Sequence, residues 1–153
     1  MKLKKLILFI IIISVLLILS GCSDAGISLK ISPNPVEFSK SQTKRDITLE
    51  VKTEGLGSIN LNKMIVEVIN EDDESIYKDE KSIDISNQFI VGGFSKEVDY
   101  TLDLKKIFKL SDYDSYDTFP LLYQGLLKGK THTLRITVTG SNNTSLTAQI
   151  KYN

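Results

Sequence analysis

The chain has few of the residues from which recognisable active sites are built. Its 153 residues include one cysteine, one histidine and no tryptophan. The sequence therefore offers no cluster of cysteine and histidine ligands that could hold zinc. It also contains no Gly-x-Ser-x-Gly elbow to present a nucleophile to His132, and no glycine-rich phosphate loop. We therefore expect a protein that is not an enzyme and that binds no cofactor.

The only cysteine, Cys22, ends a basic and then apolar N-terminus. Three lysines within residues 2–5 precede an apolar run over residues 6–19 that a single serine interrupts. As a helix this run would rise about 21 Å, which is short of the roughly 30 Å hydrocarbon core of a membrane. The small residues Ser20 and Gly21 are typical of a cleavage site. A signal peptide is therefore favoured over a transmembrane anchor.

The segment Leu19-Ser20-Gly21-Cys22 resembles the bacterial lipobox. In that family diacylglycerol is joined to the cysteine sulfur, and the signal peptide is then cleaved. The resemblance implies removal of residues 1–21, lipidation of Cys22 with long acyl chains, and a location on the extracytoplasmic side of the cell membrane. An ordinary secretory signal with a chance cysteine, or an uncleaved short anchor, remains the alternative.

Removal of residues 1–21 changes the composition of the chain. It takes away three lysines and no acidic residue, which leaves 16 basic and 19 acidic residues and a net charge of −3. This mild acidity argues against a nucleic-acid partner and against polybasic binding to anionic lipid. Lipidation of Cys22 leaves no cysteine for an intramolecular disulfide, so burial and hydrogen bonding must stabilise the domain. We expect residues 22–26 to form a short tether and residues 27–153 to form one domain.

The sequence after the tether alternates between apolar and polar residues with a period of two, which predicts strands. Alternation is clearest over residues 27–31, 47–51, 98–104, 134–138 and 146–152. Turns are predicted at residues 33–35, 55–58, 71–74 and 140–143. The last of these turns predicts a hairpin. Seven or eight short strands without a sustained helical period predict an all-β, immunoglobulin-like antiparallel β-sandwich.

Residues 127–136 resemble the approach to strand F in fibronectin-III and other immunoglobulin-like domains. In those domains a turn glycine, here Gly129, precedes an alternating strand. The chain departs from the family pattern because it has neither a cysteine pair nor a tryptophan, and His132 lies near the expected position of the corner tyrosine. The resemblance implies an architecture and no particular activity.

Residues 105–130 are too long for a hairpin loop, which predicts a short helical or irregular insertion before the last two strands. Most aromatic side chains are used in packing, so a plug that closes one end of the sandwich is favoured. The alternative is a ligand or partner surface that exposes Tyr113, Tyr116 and Tyr123, since tyrosine combines apolar area with a polar group.

Three acidic residues of this insertion invite a calcium hypothesis. Asp112, Asp114 and Asp117 are close in sequence, and calcium prefers oxygen ligands. Their spacing lacks the third alternate acid and the turn glycine of a calcium loop. These residues are therefore weak metal candidates, and solvated loop acids are the favoured interpretation.

Together these features predict a membrane-anchored lipoprotein that acts as a non-enzymatic binding or scaffolding module at the cell envelope. Its expected partners are membrane lipid, through acylated Cys22, and an envelope protein or polysaccharide. The partner would bind either the insertion or an exposed sheet edge. The alternative function is a carbohydrate- or calcium-linked adhesion module.

Overall fold

The computed structural model describes residues 26–110, 118–140 and 143–153. Its strands are β1 (Gly26–Ser32), β2 (Val36–Phe38), β3 (Lys44–Ile69), β4 (Ser75–Asp103), β5 (Thr131–Gly140) and β6 (Thr144–Tyr152). Between β4 and β5 lie the short helices α1 (Leu104–Ile107) and α2 (Thr118–Leu122) and a π-helical turn (Tyr123–Leu127). The predicted signal peptide and the lipidation site Cys22 lie outside the described residues.

The hairpin of β3 and β4 organises the fold. β3 has 26 residues and β4 has 29, and they pair antiparallel from Lys44 opposite Asp103 to Ile69 opposite Ser75. The two strands fold back on themselves, so that the hydroxyl oxygens of Tyr77 and Tyr100, both in β4, lie 2.8 Å apart. Each strand therefore contributes one part to each of two layers.

The two layers follow from the partners of β3. Its first part pairs with β1, from Gly26 opposite Glu54 to Ser32 opposite Thr48. Its last part pairs with β5, which continues through β6 to the short strand β2. With both halves of β3 and β4 counted, eight strand segments form two sheets, which confirms the predicted β-sandwich.

Several details of the prediction are confirmed and others are corrected. The last hairpin is confirmed, because β5 and β6 pair antiparallel. The turn predicted at residues 55–58 is wrong, because β3 continues through it as a strand. One pair is parallel rather than antiparallel, since Val36 of β2 lies opposite Ile150 of β6.

The core lies between the layers and is built from alternate residues of the strands. Along β5, Leu134, Ile136 and Val138 are buried while Arg135 is exposed. Burial of one such aliphatic side chain stabilises the fold by about 1.5–3 kcal/mol. The alternation predicted from the sequence therefore gives the inward faces correctly.

The sandwich has two distinct ends. At the first, here called the ribbon end, β1 begins at Gly26 and Gly140, the last residue of β5, lies close to the backbone of Asn60. At the second, the insertion end, the amide of Leu104 donates to the Thr43 carbonyl oxygen at 2.9 Å. The start of β1 and the insertion are therefore at opposite ends. Over the described ranges, no helix has both the length and the apolar character needed to cross a membrane.

Candidate functional site

The insertion begins with a capped helical turn. Asp103, the last residue of β4, accepts a hydrogen bond from the Lys105 amide at 2.9 Å through its side chain. Such a cap satisfies an amide that the first turn of a helix leaves unpaired. Leu104 and Ile107 of α1 are buried, so this turn is fixed to the core on its inner side.

Tyr123, in the π-helical turn, holds the insertion to the end of the sandwich. Its side chain is 1% exposed. Its hydroxyl donates to the Phe38 carbonyl oxygen at 2.9 Å, with the Asn153 carbonyl oxygen at 3.1 Å as a second acceptor. Burial raises the pKa of this hydroxyl above its usual value. Tyr123 therefore packs in the core, which corrects its assignment to an exposed surface and supports the plug interpretation.

Six ring-bearing side chains form a cluster at the insertion end, here called the aromatic cluster. Its members are Phe38, Phe108, Phe119, Tyr123, His132 and Tyr152. Tyr152 is the centre of the cluster, stacked on Phe38 with ring centroids 6.1 Å apart and edge-on to His132 at 5.3 Å. Burial raises the pKa of Tyr152, and its hydroxyl has no hydrogen-bond partner among the described residues.

His132 is a core residue of this cluster. It occupies an inward position of β5 and is 8% exposed. Burial lowers the pKa of its imidazole, Glu71 raises it and Lys130 lowers it. The net shift is downward, so the side chain is neutral at pH 7. Its Nδ1 has no hydrogen-bond partner in the described part of the chain. The alternation of β5 places His132 in phase with Leu134, which is the sequence signal that indicates its burial.

A depression lined by both apolar and polar side chains lies on the outside of the aromatic cluster and is here called the insertion depression. One cavity of about 290 Å³ is lined by Asn70, Glu71, Asp72, Ile76, Phe108, Leu126, Leu127, Lys130 and His132. A second of about 130 Å³ is lined by Phe108, Leu110, Phe119, Leu122, Leu126 and Leu127. The two share Phe108, Leu126 and Leu127. The first lies at the lower limit of the roughly 300–1,000 Å³ of typical small-molecule sites and the second is well below it, so a protruding side chain is the better fit.

Two leucines of the insertion are exposed: Leu126, which lines both cavities, and Leu121, which precedes the lining residue Leu122. Leu121 is 75% exposed and Leu126 is 56% exposed. Among the side chains that the structure describes, no other large hydrophobic is exposed. Exposed apolar residues that adjoin a cavity are typical of protein interaction sites. The sequence pattern favoured the tyrosines of this segment as the exposed residues and did not identify the leucines, although the apolar run at residues 121–127 contains both of them.

A second groove, of about 600 Å³, runs beside β1. Its lining residues are Leu29, Lys30, Ile31, Ser32, Asn34, Thr48, Glu50, Glu97 and Leu146. Glu50 is already paired with Lys52 at 3.1 Å and accepts a hydrogen bond from the Ser95 hydroxyl at 3.2 Å. The hydrogen bond from Lys52 holds the pKa of Glu50 below its usual value. The Glu50 carboxylate is therefore already paired on the surface of the sheet, and the groove is the weaker candidate.

The edge formed by β4 carries polar side chains that bridge the two halves of the strand. The Tyr100 hydroxyl donates to Asp79 at 2.6 Å, which lowers the pKa of Asp79, while burial raises the pKa of Tyr100. Lys81 and Lys96 donate to backbone carbonyl oxygens of Asp99 and Asp84. Charges at a strand edge disfavour the addition of a further strand. The insertion depression is therefore a better candidate than this sheet edge.

The remaining sequence candidates lie outside the described residues. These are the lipobox residues Leu19, Ser20, Gly21 and Cys22, the tyrosines Tyr113 and Tyr116, and the acids Asp112, Asp114 and Asp117. Their assignments stay predictions. Within the described ranges, no three acidic or histidine side chains are grouped as metal ligands. The Glu71–Glu74 turn is exposed, and Asn70 Oδ1 accepts bonds from the amides of Asp72 and Glu74.

Comparison with known proteins finds distant structural similarity only. No family model matches the chain, and no curated protein matches it. A β-glucosidase from Listeria innocua is 10% identical with a TM-score of 0.42 over 83% of this chain and 16% of its own. A β-glucuronidase from Parabacteroides merdae is 12% identical with a TM-score of 0.37 over 82% of this chain and 13% of its own. The ApaA protein from Bordetella pertussis is 12% identical with a TM-score of 0.38 over 84% of this chain and 90% of its own. These similarities assign no activity to the chain.

Proposed function

We propose that the protein is a lipoprotein, acylated on Cys22, that acts as a non-enzymatic binding or scaffolding module at the cell envelope. The observation that carries the proposal is the position of the insertion depression, at the end of the sandwich opposite to Gly26. A lipid on Cys22, four residues before Gly26, would hold the ribbon end at the membrane. The insertion end would then face away from the membrane, where an envelope partner can reach it.

The exposed leucines supply the contact with the partner. Leu121 and Leu126 lose apolar contact with water when a partner covers them, and each fully buried leucine contributes about 1.5–3 kcal/mol. Phe108 and Leu127 form the floor of the depression, into which an apolar side chain of the partner would fit. The favoured partner is therefore an envelope protein with a protruding apolar side chain.

Binding is proposed rather than catalysis because of the environment of the histidine. His132 is 8% exposed and packs edge-on against Phe108 and Tyr152. Phe108 has no reactive group, and the Tyr152 hydroxyl forms no hydrogen bond within the described part of the chain, so neither residue is hydrogen-bonded to the imidazole. A general base needs a reacting proton within hydrogen-bond reach, and nothing in the described part of the chain supplies one at Nδ1.

In-cell crosslinking of the full chain tests the partner surface. Leu126→Asp and Leu121→Asp each place a charge in the proposed interface, and we expect both to lose the protein that the unmodified chain captures. Gln124→Asp is the matched control, because Gln124 is an exposed polar residue of the π-helical turn that also contains Leu126. Equal capture by the unmodified chain and by both leucine variants would overturn the assignment of the surface.

Membrane fractionation tests the anchor separately. Cys22→Ser removes the sulfur that the lipid requires, so we expect the variant to leave the membrane fraction. Its retention after a high-salt wash would contradict lipidation and indicate an uncleaved signal anchor.

A further inference from the structure

The ribbon end contains a part of the long hairpin that belongs to neither layer. Residues 55–59 of β3 pair with residues 88–92 of β4, from Gly55 opposite Gly92 to Ile59 opposite Gln88. The pairing of β1 stops at Glu54, and that of β5 starts at Leu61. Among the described strands, this segment is therefore a two-stranded ribbon without a further neighbour. It is here called the crossing ribbon.

The crossing ribbon lies in a long uncharged stretch of both strands. β3 has no charged residue between Glu54 and Lys63, and β4 has none between Asp84 and Lys96. In the whole chain 25% of residues are charged. The exposed edge strands of soluble proteins usually carry charges, because charges prevent pairing with other chains. The absence of charge from both strands here indicates an environment other than open water.

Bulky apolar residues are concentrated in the ribbon. Leu56 lies opposite Val91, Gly57 opposite Ile90, and Ser58 opposite Phe89. Consecutive residues of a strand belong to opposite faces, so Phe89 and Ile90 are on different faces of the ribbon. Each face therefore carries at least one large apolar residue of β4.

The start of β1 places the ribbon next to the predicted tether. Gly26 lies opposite Glu54, the residue before Gly55. The four residues from Cys22 to Gly26 span roughly 14 Å at most. A membrane that holds lipid chains on Cys22 is thus within one tether length of the ribbon.

We propose that the crossing ribbon rests in the interfacial layer of the membrane, beside the acyl chains on Cys22, and orients the domain. The proposal deepens the proposed function and rests on the lipidation of Cys22. A lipid surface is the occupant because residues 22–26 would keep the ribbon within a tether length of the acyl chains on Cys22, and because an uncharged ribbon has no ionised side chain to desolvate. Apolar and aromatic side chains are favourable at this depth, and interfacial binding increases with the apolar area that is buried.

The contact has a defined consequence for the insertion depression. A tether on Cys22 would hold the ribbon end at the membrane, but it would not by itself fix the tilt of the domain. A second contact at the ribbon end restricts this tilt and keeps Leu121 and Leu126 directed away from the lipid. The ribbon would thus position the partner surface without touching the partner.

The absence of tryptophan from the chain allows a direct test. Phe89→Trp and Ile90→Trp, prepared separately in the full lipidated chain, place a single fluorophore on each face of the ribbon. Each variant is reconstituted into phosphatidylcholine vesicles with ordinary or brominated acyl chains, and bromine quenches only a tryptophan that reaches the lipid. Leu121→Trp is the matched control at the insertion end, where the native leucine is 75% exposed.

We expect a loss of tryptophan emission in the brominated vesicles for at least one ribbon variant and none for Leu121→Trp. If neither ribbon variant is quenched more than Leu121→Trp, the proposal is overturned. Circular dichroism checks that each variant is folded, and Leu56→Trp or Val91→Trp, from the same ribbon, replaces a variant that is not.

The mass of the purified chain and its flotation with vesicles separate the two proposals. A chain that carries acyl chains and floats, but whose ribbon variants are not quenched, overturns the ribbon contact and leaves the lipoprotein assignment standing. A chain without acyl mass that does not float overturns both.

Discussion

The hydroxyl groups of Tyr123 and Tyr152 should have opposite effects on stability, although both belong to the aromatic cluster. Tyr123 and Tyr152 are 1% and 2% exposed, and their ring centroids lie 6.3 Å apart. The hydroxyl of Tyr123 donates to a carbonyl oxygen, whereas the hydroxyl of Tyr152 has no partner among the described residues. Tyr123→Phe and Tyr152→Phe are thus the same chemical change at one site of the fold, and only the hydrogen bonding differs.

The expected magnitudes follow from these contacts. Tyr123→Phe removes a buried hydrogen bond and leaves carbonyl oxygens with fewer donors, so the free energy of unfolding should fall by about 1–2 kcal/mol. The Phe38 carbonyl oxygen keeps the bond from the Asn153 amide at 3.0 Å, which limits the loss. Tyr152→Phe removes a buried polar atom that gains nothing from the fold. Its free energy of unfolding should be unchanged or raised by up to about 1 kcal/mol.

Urea unfolding followed by circular dichroism measures both variants against the unmodified chain. Equal slopes against urea concentration would show that the two substitutions leave the unfolded surface unchanged, so that the midpoints report stability. A loss for Tyr152→Phe as large as that for Tyr123→Phe would refute the reasoning, because it would mean that the Tyr152 hydroxyl is hydrogen-bonded.

Two further predictions concern stability. Burial lowers the pKa of His132 below its usual value of 6.5, so the unfolded chain binds a proton at a higher pH than the folded chain does. The free energy of unfolding should be constant with respect to this group above about pH 6.5 and should fall as the pH decreases. The loss should be about 1.4 kcal/mol for each unit by which the pKa differs between the folded and the unfolded chain. Urea unfolding at several pH values should show this loss, and His132→Phe should lack it; an equal loss in that variant would assign the effect to other groups. In Gly140→Ala the new methyl group would overlap the backbone of Asn60, so we expect a loss of about 1–3 kcal/mol in the same assay. Gly125→Ala is the control, since nothing lies within 4 Å of its added carbon and no loss is expected; equal effects would contradict the close approach.

Local patterns in the sequence were sufficient to predict the strands and their inward faces. The alternation at residues 134–138 and 146–152 corresponds to β5 and β6, and the residues between them predicted their hairpin. Such features depend on neighbouring residues alone, since the side chains of a strand alternate whatever the strand pairs with. The lipobox can likewise be recognised from adjacent residues alone. Lipidation of Cys22 stays a prediction because Cys22 lies outside the described residues.

Predictions that needed distant contacts were incomplete or wrong. The glycines at 55 and 57 predicted a turn, but β3 continues through them because residues 88–92 of β4 pair alongside. Glycine is tolerated where a strand bends between layers, so its presence does not by itself distinguish a turn from a bend. Exposure of Tyr123 stayed open as the alternative to the plug because the sequence does not show that the Phe38 carbonyl oxygen, 85 residues away, accepts a hydrogen bond from its hydroxyl.

The sequence by itself therefore determined the class of fold and which residues of the alternating strands face inward. Only the tertiary structure decided that β3 and β4 pass through both layers, that Tyr123 is buried, and that Gly26 and the insertion lie at opposite ends. The physical reason is the separation along the sequence of the residues that interact. Alternation and turn chemistry act between neighbours, whereas strand register and burial are set by residues tens of positions apart that meet only in the folded chain.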